Sequence, residues 1–194
     1  MKLEQIKTIV ARKSGAFGED KSGVAAVEFA MIVPIMLTLF FGSVEFSQAL
    51  TVDRRVAQIA SSTADLVAQY DQISPAQVNN LFLLTKSLMQ PYDTAPLKIS
   101  VTNIKKVDQQ SPTGVWSCPF QGAPTYVGPI GASIPAGLLE NPPTGGTSCV
   151  VMSEVKYQFT PTIGQFLTSG VPLTEKFYLK PRKSTCVALT VPSC

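Results

Sequence analysis

One run of apolar residues near the N-terminus constrains this chain more than anything else in it. Val24 to Leu50 reads VAAVEFAMIVPIMLTLFFGSVEFSQAL, and the sixteen residues from Phe29 to Val44 carry no charge. With the flanking Val24–Val27 and Phe46 the segment approaches the ~20 apolar residues that a helix needs to cross hydrocarbon. Glu28 interrupts it about one helical turn from its start. An ionised carboxylate facing lipid costs about 2.5–3.5 kcal/mol at the bilayer centre and less near the interface, so Glu28 calls for a partner.

Gly23 suggests where that partner comes from. Cleavage after Gly23 would make Val24 the N-terminus, with an α-amine (pKa ~8 when unperturbed) four residues before Glu28 and on the same helix face. Carboxylate and ammonium could then pair within one subunit or between neighbours in a helical assembly. Two other readings of the segment stay open. A secretory signal cut near Ser47-Gln48-Ala49 would need a leader of about 49 residues where 15–30 is usual. An uncleaved signal anchor explains length and topology but gives no reason for Gly23 and Glu28 at their spacing.

Residues 1–23 carry Lys2, Lys7, Arg12, Lys13 and Lys21 against Glu4, Glu19 and Asp20. That bias predicts a cytoplasmic N-terminus, although Arg54 and Arg55 beyond the run oppose it. Pro34 removes one backbone hydrogen bond and predicts a kink or local loosening. Gly42 and Ser43 would permit close helix approach. Glu45, about 25 Å along the helix from Glu28 at 1.5 Å per residue, reads as a membrane-interface residue and not as a second buried charge.

The helix is expected to continue beyond the apolar run. Val52, Val56, Ile59, Ala60, Thr63, Val67 and Tyr70 recur at three- and four-residue spacing, and no proline or glycine intervenes from Ser43 to Ser74. The pattern predicts one helix from about Val24 to Tyr70. Ser74-Pro75 is a helix start, with Ser as N-cap and Pro at the first helical position, followed by the stripe Val78, Leu81, Phe82, Thr85, Leu88, Met89 up to Pro91. From Leu97 the period becomes that of strands. Leu97–Val107, Cys149–Phe159, Phe177–Lys180 and Cys186–Val191 are the candidates, with Val151, Val155, Tyr157 and Phe159 facing a core and Glu154, Lys156 and Gln158 facing water. Without long helices between them, an antiparallel sheet packed on the long helix is the economical arrangement, an α+β fold. Asp108 to Ser148 holds seven prolines and seven glycines and reads as a long irregular surface excursion.

The domain plan is a leader over 1–23, a membrane helix over 24–50, its extension and turn over 51–73, and a disulfide-stapled α+β domain over 74–194. The chain has no histidine, which removes the commonest general base and metal ligand. Carboxylates are scattered and no Gly-rich phosphate loop stands between strand and helix, so no catalytic residue, cofactor or metal is expected. Net charge is +3 and gives no footprint for nucleic acid. The four cysteines (Cys118, Cys149, Cys186, Cys194) are even in number, lack a Cys-x-x-Cys pair and read as two disulfides. Of three connectivities, Cys118–Cys149 with Cys186–Cys194 is favoured, because the first closes the excursion, for about 3–4 kcal/mol, and the second pins the tail.

Gly23-Val-Ala-Ala-Val-Glu28-Phe29 resembles the processing site of type IV prepilins. The fuller string Ser22 to Pro34, continuing to Gly42-Ser-Val-Glu45-Phe46, is similar to that of the TadE-like minor pilins (pseudopilins) of the tight-adherence, or Flp, pilus. The likeness covers about 25 of the 194 residues. Major Flp pilins usually carry Glu-Tyr and little chain after the helix, so Glu28-Phe29 and the long C-terminal part favour a minor pilin. The resemblance implies cleavage between Gly23 and Val24 by a membrane prepilin peptidase, with Glu28 and Phe29 setting assembly register. As partners it implies major and other minor pilins, an inner-membrane assembly platform with its cytoplasmic ATPase, and membrane lipid. The implied location is the bacterial inner membrane, single-pass, N-terminus cytoplasmic and C-terminal domain periplasmic, with passage into an extracellular pilus used in adhesion and biofilm formation. A signal-anchored periplasmic binding domain, using the Pro/Gly-rich stretch with Trp116 and Tyr126, is the alternative.

Overall fold

A computed structural model describes residues 22–108, 110–130, 134–135, 137–139, 142, 145–161, 170–191 and 194. The expected leader lies outside the described residues except for Ser22 and Gly23. The chain divides into two compact units, residues 1–46 and 47–194. Helix α1 (Ser22–Ala68) begins in the first and ends in the second.

Within the second unit the predicted stripe is the core face of α1. Val52, Val56, Ile59 and Val67 are fully buried and Ala60 and Thr63 nearly so, each large aliphatic contributing about 1.5–3 kcal/mol by leaving water. The helix closes with Tyr70 N–H donating to Val67 O at 3.1 Å. The Ala68 carbonyl accepts from the Arg182 backbone N–H at 2.9 Å, and the Arg182 guanidinium pairs with Asp65. After strand β1 (Gln72–Ile73), helix α2 (Pro75–Lys86) starts in a capping box. Ser74 N–H donates to Gln77 Oε1 at 2.8 Å, and Gln77 N–H donates back to Ser74 Oγ at 3.3 Å. Its buried residues are Val78, Leu81, Phe82 and Thr85, and a short 3-10 turn (Ser87–Met89) ends it. Arg55 of α1 donates from Nη1 to Leu88 O at 2.7 Å and Gln90 O at 2.6 Å, so a residue that opposed the expected topology serves a structural purpose.

The sheet is antiparallel and five-stranded in the order β4-β3-β2-β5-β6, with β2 (Lys98–Val107), β3 (Thr113–Phe120), β4 (Gly128–Pro129), β5 (Thr147–Phe159) and β6 (Val171–Leu179). Ile99 and Val101, Trp116 and Cys118, and Val151, Val155, Tyr157 and Phe159 form one core with α1 and α2. Two expectations fail here. Strand β3 lies inside the stretch expected to be irregular, because alternation survives its glycine and proline. Pro119 is tolerated since β4 pairs only Thr113 and Gly114 on that side, leaving the rest of the outer edge of β3 without a neighbouring strand among the described residues. The candidate strand at Cys186–Val191 shrinks to β7 (Ala188–Leu189), which pairs in parallel with β1 outside the main sheet.

The opposite face of the sheet is not wet as expected. Ile104, Val150 and Met152 are buried there under Tyr126, Ile130, Ile134 and Leu139 from the Pro/Gly-rich stretch, which forms a second small core. Gly114 permits this close packing, since a Cβ there would run into the Tyr126 carbonyl. Glu154, expected in water, is 2% exposed. The Tyr126 hydroxyl donates to its Oε2 at 2.5 Å, and Lys156 and Lys176 lie 3.5 and 3.6 Å from its Oε1. The covering segment exists because the prolines and glycines let the chain fold back over the strands.

The disulfides are Cys118–Cys194 and Cys149–Cys186, with Cα separations of 5.3 and 5.1 Å, which corrects the favoured pairing. Sheet register explains the correction. Cys118 pairs with Val101 and Cys149 with Lys105 on opposite sides of β2. Two interstrand spacings and a four-residue offset put them roughly 16 Å apart, beyond the ~7 Å limit for a bridge.

Candidate functional site

The segment singled out by the sequence is the N-terminal part of α1. Every described residue from Gly23 to Ile32 is exposed, and the exposed large hydrophobics include Val24, Val27, Phe29, Met31, Ile32, Ile35, Met36, Leu37, Leu39, Phe40 and Phe41. Among the described residues this is the one helix long and apolar enough to cross a membrane, and none of its most apolar window is buried. An apolar surface of this extent marks a membrane or protein contact. Polar side chains inside it fold back on the backbone. Thr38 Oγ1 donates to Pro34 O at 2.7 Å and Ser43 Oγ to Phe40 O at 2.8 Å, which satisfies both hydroxyls within the helix itself.

Gly23 sits in the first turn of α1, and a Cβ there would meet nothing within 4 Å. Among the described residues nothing at this place therefore requires a glycine on steric grounds. Glu28 is exposed among the apolar side chains, one turn and about 6 Å of helix rise beyond Val24. Phe29 beside it is 69% exposed. Pro34 lies within α1, and the helix assignment runs through it. A Cβ at Gly42 would also meet nothing within 4 Å, so a neighbouring helix has room to approach.

Glu45 departs from expectation. It is 1% exposed, and both carboxylate oxygens are without a hydrogen-bond partner among the described residues. Placing it at an interface relied on its distance along the helix, and burial is a tertiary property that such a distance does not contain. Sequence reasoning also missed Glu154, which an alternating strand pattern assigns to the solvent side.

Trp116 and Tyr126, paired in the alternative reading, do not form one site. Trp116 belongs to the core against α1, with its indole N–H donating to Val187 O at 2.9 Å. Tyr126 covers the opposite face of the sheet. Its hydroxyl pKa is pushed up to about 12, first by burial and then by the hydrogen bond to Glu154. The Tyr126–Glu154–Lys176 group is internally paired and serves to hold the covering segment down. Among the described residues no group of three or more His, Cys, Asp or Glu side chains could hold a metal ion.

Residues 23–65 match the model of the family described as TadE-like protein. No curated protein and no solved structure gives a match. The matched residues contain Gly23, Glu28, the exposed apolar surface and most of the core stripe of α1, and over this segment the chain is similar to the TadE-like proteins.

Proposed function

We propose that the chain is a minor pilin or pseudopilin, cut between Gly23 and Val24 and incorporated into, or priming assembly of, a tight-adherence (Flp) pilus used in adhesion and surface colonisation. In this reading residues 1–23 are a cytoplasmic leader, 24–50 the membrane helix, 51–73 its periplasmic extension and turn, and 74–194 the periplasmic domain. A prepilin peptidase removes the leader. Other pilins and an inner-membrane assembly platform are the partners.

The observation that carries the reading is the start of α1, where Gly23 has no packing partner among the described residues and Glu28 is exposed among apolar side chains. An uncrowded glycine suits a peptidase that must reach the backbone. An exposed carboxylate in an apolar surface suits a subunit that acquires its counter-charge on cleavage and assembly. Pro34 is assigned a kink that lets the helix adjust to neighbours in the filament.

The test is the N-terminal residue and intact mass of the membrane-extracted protein from its native host, beside Gly23→Ala and Glu28→Ala variants. The expected product begins at Val24. Gly23→Ala stays full length, and Glu28→Ala is cut but absent from sheared pili. A wild-type chain that begins at Met1 refutes processing, and normal incorporation of Glu28→Ala refutes the charge-pairing role.

A further inference from the structure

A cavity of about 330 Å³ lies between strands β2 and β3 and the segment around β7, and neither the fold nor the pilus reading accounts for it. A β-bulge shapes its rim. Asn103 pairs with Trp116 and Ile104 with Gly114, so Val115 is the extra residue, and bulges of this kind turn a side chain out of the pleat. Val115 is 48% exposed and shares the rim with Val191, which is 44% exposed.

The polar groups of the cavity are incompletely used. Asn103 is 2% exposed, and its Nδ2 donates to Val187 O at 3.1 Å, which fixes the amide orientation. Its Oδ1 is then left buried without a donor among the described residues, a rare condition for a native interior. Lys105 lines the same cavity and has no ion-pair partner among the described residues. The wall formed by the β7 segment is tied to the sheet through Cys149–Cys186 and Cys118–Cys194, so the cavity is preformed and binding carries little ordering cost.

The geometry points to a binding site for a small aromatic carboxylate bearing an O–H or N–H donor. The donor satisfies Asn103 Oδ1, the ring packs among Trp116, Val115, Leu189 and Val191, and the carboxylate meets the Lys105 ammonium. This site stands independently of the pilus reading, since all its residues lie in the 47–194 unit.

Trp116 is the single tryptophan of the chain and lines the cavity, so its emission senses a ligand bound there. The full-length protein in lauryl maltoside micelles is titrated with para-hydroxyphenylacetate, with excitation at the red edge of indole absorption. The expected result is a saturable change in Trp116 emission. Lys105→Met should bind about tenfold more weakly, as for loss of one charge-assisted contact. Phenylacetate, which lacks the donor, should bind wild type about fivefold more weakly. Val115→Phe, which fills the mouth from an exposed position, should abolish the signal while leaving the melting temperature unchanged. No saturable change up to about 10 mM overturns the site. Equal affinity in wild type, Lys105→Met and Val115→Phe also overturns it, because that pattern is partition into the micelle.

Discussion

Arg55→Met isolates one tertiary contact that joins the two helices of the 47–194 unit. The thioether side chain keeps the apolar stem, so the substitution removes mainly the guanidinium. Lost with it are the bonds to Leu88 O, which is half-buried, and Gln90 O, which is exposed. The first, charge-assisted, is worth about 1.5–3 kcal/mol, whereas the second carbonyl is rehydrated when its donor goes and adds little. The guanidinium also lies 5.6 Å from the Tyr92 ring centroid, worth about 0.5 kcal/mol more. The sum is about 2–3.5 kcal/mol. In a unit of about 150 residues that lowers Tm by roughly 4–14 °C. Thermal unfolding of the full chain in micelles, followed by Trp116 emission, measures it. Arg54→Met is the control, because Arg54 is exposed and has no bond among the described residues; it should stay within about 0.5 kcal/mol of wild type. If Arg55→Met melts with wild type, or if Arg54→Met loses as much, the Arg55 contact does not hold α2 to α1.

Four further outcomes follow from the second core and the cysteine pairs. A non-reducing peptide map should show Cys118 linked to Cys194 and Cys149 to Cys186; a Cys118–Cys149 peptide would contradict the sheet register. Replacing Cys149 and Cys186 together by serine opens a link across 37 residues and should cost about 4 kcal/mol on the loop-entropy account, read as a lower urea midpoint. Gly114→Ala forces a Cβ against the Tyr126 carbonyl and should destabilise by about 1–3 kcal/mol, with near-wild-type stability as the refuting result. Tyr126 has its folded pKa raised to about 12, so its contribution is complete below pH ~10 and is lost as pH rises from ~10 towards ~12, where the unfolded chain has already released its proton. Tyr126→Phe should therefore flatten that part of the alkaline transition, measured as urea midpoints at about pH 8 and about pH 11; an unchanged difference between them would exclude Tyr126 as its source.

The parts of the fold set by local chemistry were legible. The absence of proline and glycine after Ser43 and the spacing from Val52 to Val67 are enough to draw α1 through to its observed end within two residues. Ser74, Pro75 and Gln77 specify the start of α2 by themselves. What could not be read depends on distant parts of the chain meeting. Glu154 has the alternation of a solvent-facing residue, and only the segment carrying Tyr126, folded back over β5, buries it. The cysteine pairing is fixed by which strands flank β2 and in what register, and linear spacing carries neither. The candidate site, Gly23 to Glu28, was picked out by residue types and spacing, and the helix that carries it is observed from Ser22. The burial of Glu45 was not readable, because distance along a helix carries no information on burial.

The C-terminal segment acquires a mechanical meaning from its connections to the end of α1. Arg182, Ala188 and Thr190 donate backbone bonds to Ala68, Asp71 and Ile73, while the disulfides bolt the same segment to β3 and β5. Tension arriving along the last turns of α1 is thus divided between the apolar packing of its core face and a covalently anchored brace. A pull on the last turns of α1 is therefore met by packing and by a cross-linked segment together.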